Sequence, residues 1–343
     1  MSEYISEYYE PFGVKTFHDG GFYGKIMAGP LLNTKIKVYI IDSGFDDADS
    51  GTPGIQTNVD LSSVTVRNFS NSAGSPEVPS HGSLTCALVA APINGFGIVG
   101  VCPDAQVFLG DVDNSNSVIY QTNVVNAIND AVTEGADIIS ISLGATEYTE
   151  DMQTAIQAAV AAGIYVFASA GNSGVRQYEY PASFPGVISV GSVNLDKQLS
   201  TFNTKNELVD IFAPGEDYYL PSSVGPVLAD GTSFSCPFAA GLWALQLSKE
   251  RGTNPTYKPT VEEAITILRS ATHLDNGTLG YDALPNPNEI STSTVGSIGA
   301  ILGGLIVLGI VVYIIMSLRQ SSAAKKAAKQ AAKEKECALT GNC

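Results

Sequence analysis

Ser233 follows Gly231-Thr232 and stands at the mouth of an apolar, small-residue helix running from Phe238 to Leu247. A serine hydroxyl is a poor nucleophile unless a base takes its proton and a third group orients that base. Two upstream segments offer such groups. Asp42-Ser43-Gly44 ends an apolar strand, and His81-Gly82-Ser83 opens a second small-residue helix. Asn172, in Ser169-Ala170-Gly171-Asn172, follows a further strand. Each residue also has a plain structural alternative. Asp42 suits a strand-end turn, His81 the start of a helix, Asn172 a left-handed position among glycines, and Ser233 an N-cap.

The chain order Asp42, His81, Ser233 and the segments around these residues resemble the subtilisin-like serine proteases. Ser169–Asn172 matches the place where that family keeps an oxyanion-binding asparagine, and Asp137–Gly144 resembles its substrate-lining strand. Residues 81–101 run in step with the family's histidine helix, the glycine-rich loop after it and the next turn. Tyr180-Pro181-Ala182 and Ala213-Pro214-Gly215 look like its two spacer motifs before the serine. The match extends over roughly residues 11 to 250, far beyond a short motif. With all four residues inside matching contexts, the separate structural alternatives lose their force.

The resemblance implies a serine endopeptidase. Ser233 would attack the scissile carbonyl, and His81 would take its proton and return it to the leaving amine. Asp42 would hold the imidazole in the required tautomer. The Asn172 amide and the Ser233 N–H would bind the tetrahedral oxyanion. Ser142, Leu143, Gly144 and Ala145 would form a pocket wall and an edge for extended peptide, with Ala170 and Gly171 as further substrate-binding residues. Edge pairing reads backbone more than side chains, so broad endopeptidase activity is expected. The alternative from another class is a catalytically silent, membrane-tethered peptide-binding module on the same fold.

No cofactor is required for this chemistry. The stretch from Pro92 to Ile98 resembles the family's calcium loop, and implies a structural Ca²⁺. Its ligands would be the Asn94 side chain, the carbonyls of Pro92, Phe96 and Ile98, and the Asp60 carboxylate, hard oxygen donors of the kind Ca²⁺ takes. Closure of that loop by its own hydrogen bonds is the alternative. The chain also departs from the family pattern. Phe234 stands where methionine is usual, and Leu84 and Phe238 replace common histidines, changes that bear on specificity more than on activity. Residues 46–54 lengthen the loop after Asp42. Glu10-Pro11-Phe12-Gly13-Val14 resembles a mature protease start, which predicts a domain that folds without a propeptide.

These residues need elements to position them. Lys35–Ile41 alternates and then turns apolar, as a strand entering a buried sheet does. Helical periodicity runs through Val124, Val125, Ile128, Ala131 and Val132 to Gly135, and through Met152, Ile156, Ala159 and Val160 to Gly163. Between and after them, Asp137–Leu143, Ile164–Ala168 and Val187–Val193 read as strands. Such alternation predicts a three-layer α/β fold with a mostly parallel central sheet, whose sites gather at the carboxyl ends of strands. Thr260-Val261-Glu262-Glu263 is a capping-box pattern for the last helix of the domain.

Charge divides the chain unevenly. Residues 1–316 carry 12 basic and 32 acidic side chains, and residues 317–343 carry 6 basic and 2 acidic ones. An acidic body repels phosphate, which excludes nucleic acid as a partner. It also suits basic substrates, but a self-repelling soluble surface is the stronger explanation. The five cysteines form neither a CxxC nor a Cys/His cluster, so a zinc site has no support. Cys86, Cys102 and Cys236 read as small buried thiols. Cys337 and Cys343 lie in the tail.

The chain is organised as a peptidase domain over 1–284, a polar linker over 285–294, a transmembrane helix over 295–318 and a basic alanine- and lysine-rich tail over 319–343. From Val295 to Leu318 there is no charged residue, and the length suits one span. Membrane lipid is therefore an expected partner beside protein or peptide substrates. Gly299 and Gly303 form a GxxxG pattern open to helix–helix dimerisation. The N-terminus lacks the basic and apolar regions of a secretory signal. Positive-inside logic places the basic tail in the cytoplasm, whereas a late single span without a signal leaves the domain where it was made. The orientation stays open between these two arguments.

Overall fold

Strand β1 (Lys37–Asp42) sends Val38 and Ile40 to one face of a sheet and Tyr39 and Ile41 to the other, all fully buried. A strand buried on both faces must be covered by helices on both sides. The computed structural model, which describes residues 7–45, 61–70, 80–95, 97–114, 118–220 and 227–272, has that arrangement. Strands β2 (Thr65–Asn68), β3 (Gln106–Asp111), β4 (Ile138–Ile141), β5 (Tyr165–Ser169), β6 (Val187–Val193) and β7 (Ile211–Pro214) join β1 in a seven-stranded sheet. The order is β2-β3-β1-β4-β5-β6-β7, and every pairing is parallel. Strands β8 (Tyr218–Leu220) and β9 (Val227–Ala229) form a separate antiparallel pair.

The helices sort onto the two faces by the width of their apolar stripes. Helix α3 (Gln121–Thr133) buries Val124, Ala127, Ile128 and Ala131, and α4 (Glu150–Ala161) buries Met152, Ala155, Ile156 and Ala159. Both join Tyr39, Ile41, Val166 and Ala168 in one core. Each exposes its opposite face, as an amphipathic surface helix should. On the other side, α2 (His81–Ala90) is buried from Gly82 to Ala90, and most of α5 (Thr232–Glu250) is buried too. Helices apolar all round belong inside a protein. These two pack on Val38, Ile40, Tyr165 and Phe167. The three-layer reading therefore holds.

Helix α1 (Val14–Asp19) and the turn before it close this second core. Tyr8, Tyr9 and Phe12 are buried, with Phe12 edge-on to Phe238. The Tyr9 hydroxyl donates to the Val99 carbonyl, and that of Tyr8 to the Glu216 carbonyl at 2.7 Å. Helix α6 (Val261–Thr272) begins as its capping box requires. Thr260 N–H donates to Glu263 Oε2 at 2.8 Å, and Glu263 N–H to Thr260 Oγ1 at 3.2 Å.

Strand β4 is shorter than the Asp137–Leu143 run expected from the sequence. The ladder stops at Ile141, and Ala145 instead bridges antiparallel to Tyr180. The chain divides into two units, Met1–Glu289 and Ile290–Cys343. The linker, the apolar segment with Gly299 and Gly303, and the basic tail lie outside the described residues. Among the described residues no helix is long and apolar enough to cross a membrane.

Asp210, just before β7, carries a pH dependence. Burial pushes its carboxyl up to about 6, against the hydrogen bond from Ser189 N–H and the nearby charge of Arg269. The folded state therefore holds a proton that the unfolded chain releases near pH 4. Stability on this account is greatest below about pH 4 and falls as pH rises toward 6. Asp210→Asn, which keeps an acceptor for Ser189, should flatten that fall in urea titrations between pH 4 and 7. An unchanged slope would place the titration elsewhere.

Candidate active site

Asp42 ends β1 and is 2% exposed, so its carboxylate must be satisfied by the protein. Oδ1 accepts from Ser43 N–H at 2.7 Å and pairs with His81 Nδ1 at 2.6 Å, while Oδ2 accepts from Thr85 Oγ1 at 2.8 Å. A carboxylate on Nδ1 requires the proton there, which leaves Nε2 as the imidazole's lone-pair nitrogen. The next strand supports this turn. Asp111 pairs in register with Asp42, and its Oδ1 accepts from Gly44 N–H at 2.9 Å. Burial, with the Asp42 charge adding to it, raises the Asp111 carboxyl above the usual carboxylate range.

His81 is the first residue of α2, and the side chain of the N-cap Ser80 accepts from Ser83 N–H. Gly82 lets the helix start close against the Asp42 turn. Its N–H donates to the Ser43 carbonyl at 2.8 Å, and a Cβ at this position would run into the Gly44 and Ser43 carbonyls. Thr85 lies one helical turn after His81, so both side chains reach the same carboxylate. That i, i+4 spacing was the only sequence signal for Thr85, and the motif reading passed over it.

Ser233 is the second residue of α5, after the N-cap Gly231, whose φ of 142° suits glycine. The N-cap alternative for Ser233 therefore falls away. Its backbone N–H belongs to the first turn, where donors have no intrahelical acceptor. Pro237, four residues on, has no N–H to give to the Ser233 carbonyl. Ser142 Oγ takes that place at 2.8 Å, while Ser233 Oγ lies 3.4 Å from the Ser142 carbonyl. Phe234, beside Ser233, sets its ring 5.4 Å from the His81 ring. Phe238 and Leu84 are buried in the core, so they support the helices rather than the cleft.

Asn172 follows β5 and is absent from the residues with positive φ, which removes the left-handed alternative. Its Oδ1 accepts from both Thr232 N–H at 2.9 Å and Thr232 Oγ1 at 3.0 Å. With the oxygen held, Nδ2 is the free donor, and among the described residues no acceptor meets it. Gly171 N–H donates to the same Thr232 hydroxyl at 3.2 Å. Thr232 thus ties the asparagine segment to the helix that carries Ser233, a role the sequence did not announce. Asp42 and His81 are directly bonded, and Ser233 and Asn172 sit on segments joined through Thr232. A hydroxyl, an oriented imidazole and an outward amide donor form a set suited to acyl transfer.

The other expected residues fall into two groups. Ser142–Ala145 run on from β4, and Ala170 and Gly171 run on from β5, so these substrate-binding candidates lie on neighbouring strand ends. Of the calcium set, Asn94 is exposed, Pro92 half-buried and Ile98 buried, while Asp60 and Phe96 lie outside the described residues. Among the described residues no group of three or more His, Cys, Asp or Glu side chains is placed to hold a metal. Cys86, Cys102 and Cys236 are buried free thiols. Burial pushes the Cys236 thiol, near Ser140 and Ser142, up to about 12, so it is inert rather than a rival nucleophile.

Known proteins resemble this chain in sequence and in fold. A model of the subtilase family matches residues 33–284. Subtilisin E of Bacillus subtilis is 31% identical over 256 residues, covering 73% of this chain and 65% of the relative. The major intracellular serine protease of the same organism is 32% identical over 299 residues, covering 82% of this chain and 90% of that protein. This chain thus spans slightly less than two thirds of the length of subtilisin E. Among solved structures, the prenylagaramide maturation protease PagA aligns with a TM-score of 0.60 and 23% identity, over 75% of this chain and 87% of its own. The protease domain of PatA aligns at 0.58 and 24%, over 68% and 86%. These two likenesses are of fold.

Gly82 provides a test of the geometry. Gly82→Ala should push α2 off the Asp42 turn and slow labelling of Ser233 by a fluorophosphonate on the order of 100-fold, the effect of a displacement near 1 Å. Labelling at the parent rate would mean that the close approach does not position His81.

Proposed function

We propose that this chain, which belongs to the subtilase family, is a serine endopeptidase that works through Asp42, His81 and Ser233 with Asn172 as an oxyanion donor. The observation that carries this reading is the 2.6 Å pair between His81 Nδ1 and the buried Asp42 carboxylate, beside the helix that opens on Ser233. Ser233 Oγ attacks the substrate carbonyl as His81 Nε2 accepts its proton. The Asp42 carboxylate holds the imidazole and stabilises the imidazolium that forms. The oxyanion receives hydrogen bonds from Asn172 Nδ2 and Ser233 N–H. The amine leaves with the proton from His81, and water repeats the sequence on the acyl-enzyme. Against the silent-module alternative stands the sequence, which keeps an aspartate, a histidine, an asparagine and a serine at the four matching positions.

A fluorophosphonate probe should label the full chain at Ser233 and fail on Ser233→Ala. Asn172→Ala should lower kcat about 10²–10³-fold, the effect of losing one oxyanion donor. Labelling that survives in Ser233→Ala would overturn the assignment, and no labelling of the parent chain would favour the peptide-binding module.

We further propose that residues 295–318 anchor the enzyme in a membrane. The support is their length and their lack of any charged side chain. The full chain expressed in cells should stay with membranes through alkaline carbonate washing, while a chain ending at Glu289 should not. Release of the full chain by carbonate would remove the anchor from the proposal.

A further inference from the structure

The substrate-binding candidates form two walls, in which Gly144, Ala145, Ala170 and Gly171 carry nothing larger than a methyl group. Leu143 to Ala145 continue β4, Ala170 and Gly171 continue β5, and both walls adjoin the reactive centre through Ser142–Ser233 and Gly171–Thr232 hydrogen bonds. The Glu179 side chain lies against Gly144 and Gly171, at both walls. A Cβ on Gly171 would collide with the Glu179 carboxylate, and one on Gly144 would lie 3.2 Å from Glu179 Oε2.

That carboxylate is held in place. Oε1 accepts from Gln177 Nε2 at 2.8 Å and from Thr204 Oγ1 at 2.9 Å, and Thr204 N–H donates to the Gly171 carbonyl at 2.9 Å. The Glu179 carbonyl accepts from Ser183 N–H at 2.8 Å. Both side-chain donors to Oε1 are neutral. Among the described residues none donates to Oε2, and no cation pairs with Glu179. Arg176, the basic residue closest in sequence, is engaged with Glu207 at 3.4 Å.

We infer that Glu179 makes this site select peptides with lysine or arginine immediately before the cleaved bond. The inference rests on the endopeptidase reading above and deepens it by naming the substrate class. An apolar side chain between the walls would strip water from Oε2 and return no hydrogen bond. An ammonium or guanidinium group supplies N–H donors and opposite charge at once. The formal net charge of −16 draws cationic peptides toward the molecule at longer range. Backbone pairing along the strand edge stays sequence-tolerant, so the selection acts at one substrate position.

The experiment compares fluorogenic peptides that differ only in the residue before the scissile amide, arginine, lysine, leucine or glutamate, on the full chain and on Glu179→Gln. In the parent, kcat/KM should rank arginine and lysine above leucine, with glutamate last. The arginine-to-leucine ratio should fall about 10-fold or more in Glu179→Gln, as expected when a charged hydrogen-bond partner is neutralised. Because a ratio does not depend on the active fraction, partial misfolding of the variant cannot mimic this result. A parent that prefers leucine, or a ratio unchanged by Glu179→Gln, overturns the inference. Fluorophosphonate labelling of the same parent sample separates the two readings. Labelling with a flat ratio overturns the specificity alone, whereas no labelling overturns the endopeptidase reading and this inference with it.

Discussion

A carboxylate with almost no access to water sits at the centre of this fold. A buried carboxylate must draw its donors from the protein, and Asp42 takes them from its own strand-end turn and twice from α2. Those bonds fix α2 against β1 more tightly than apolar contact would, since packing is tolerant of small shifts and a 2.6 Å bond is not. The rest follows outward. Gly82 is small because the helix must start against the turn, and Asp111 on the neighbouring strand holds the turn from behind. The imidazole orientation is therefore a by-product of satisfying a buried charge.

The second half of the site is organised by a hydroxyl. Thr232 gives its own N–H and O–H to Asn172 and receives Gly171 N–H, so one small side chain sets the positions of two backbone segments and one amide. Polar groups that close on one another in this way tend to have one arrangement rather than several. Around them, α2 and α5 carry small residues such as Gly82, Ser83, Ala239, Ala240 and Gly241 along their buried lengths. Aromatic bulk comes from Phe234, Phe238 and Trp243 of α5 and from the N-terminal turn, where Tyr9 and Phe12 meet Phe238.

Four strands of the sheet (β1, β4, β5 and β6) and the helices of both layers were legible from periodicity and motif context, whereas β2, β3 and β7 did not stand out. The α6 capping box was legible too, down to its reciprocal bonds. What escaped were residues whose importance comes from tertiary partners. Thr85 and Thr232 are unremarked threonines in sequence and become meaningful only once Asp42 and Asn172 lie beside them. Tyr8 and Tyr9 read as part of an undistinguished N-terminus, yet they are core residues, because burial of an aromatic far from its partners in sequence has no local signature. Phe238 read as a change near the cleft and is packing. The early end of β4 was hidden for a related reason: Ser142 to Ala145 are as compatible with a strand as the residues before them. What ends the ladder is Tyr180, contributed from elsewhere in the chain.

Pro237 has an effect out of proportion to its place in α5. A proline in a helix is usually counted as a hydrogen bond lost, but here the vacancy is filled from outside by Ser142. The main chain of Ser233 is thereby fastened, through one short side chain, to the strand end that carries the substrate-binding candidates. Any drift of one carries the other. A peptide lying along that edge would meet a Ser233 whose main chain is tied to the edge itself.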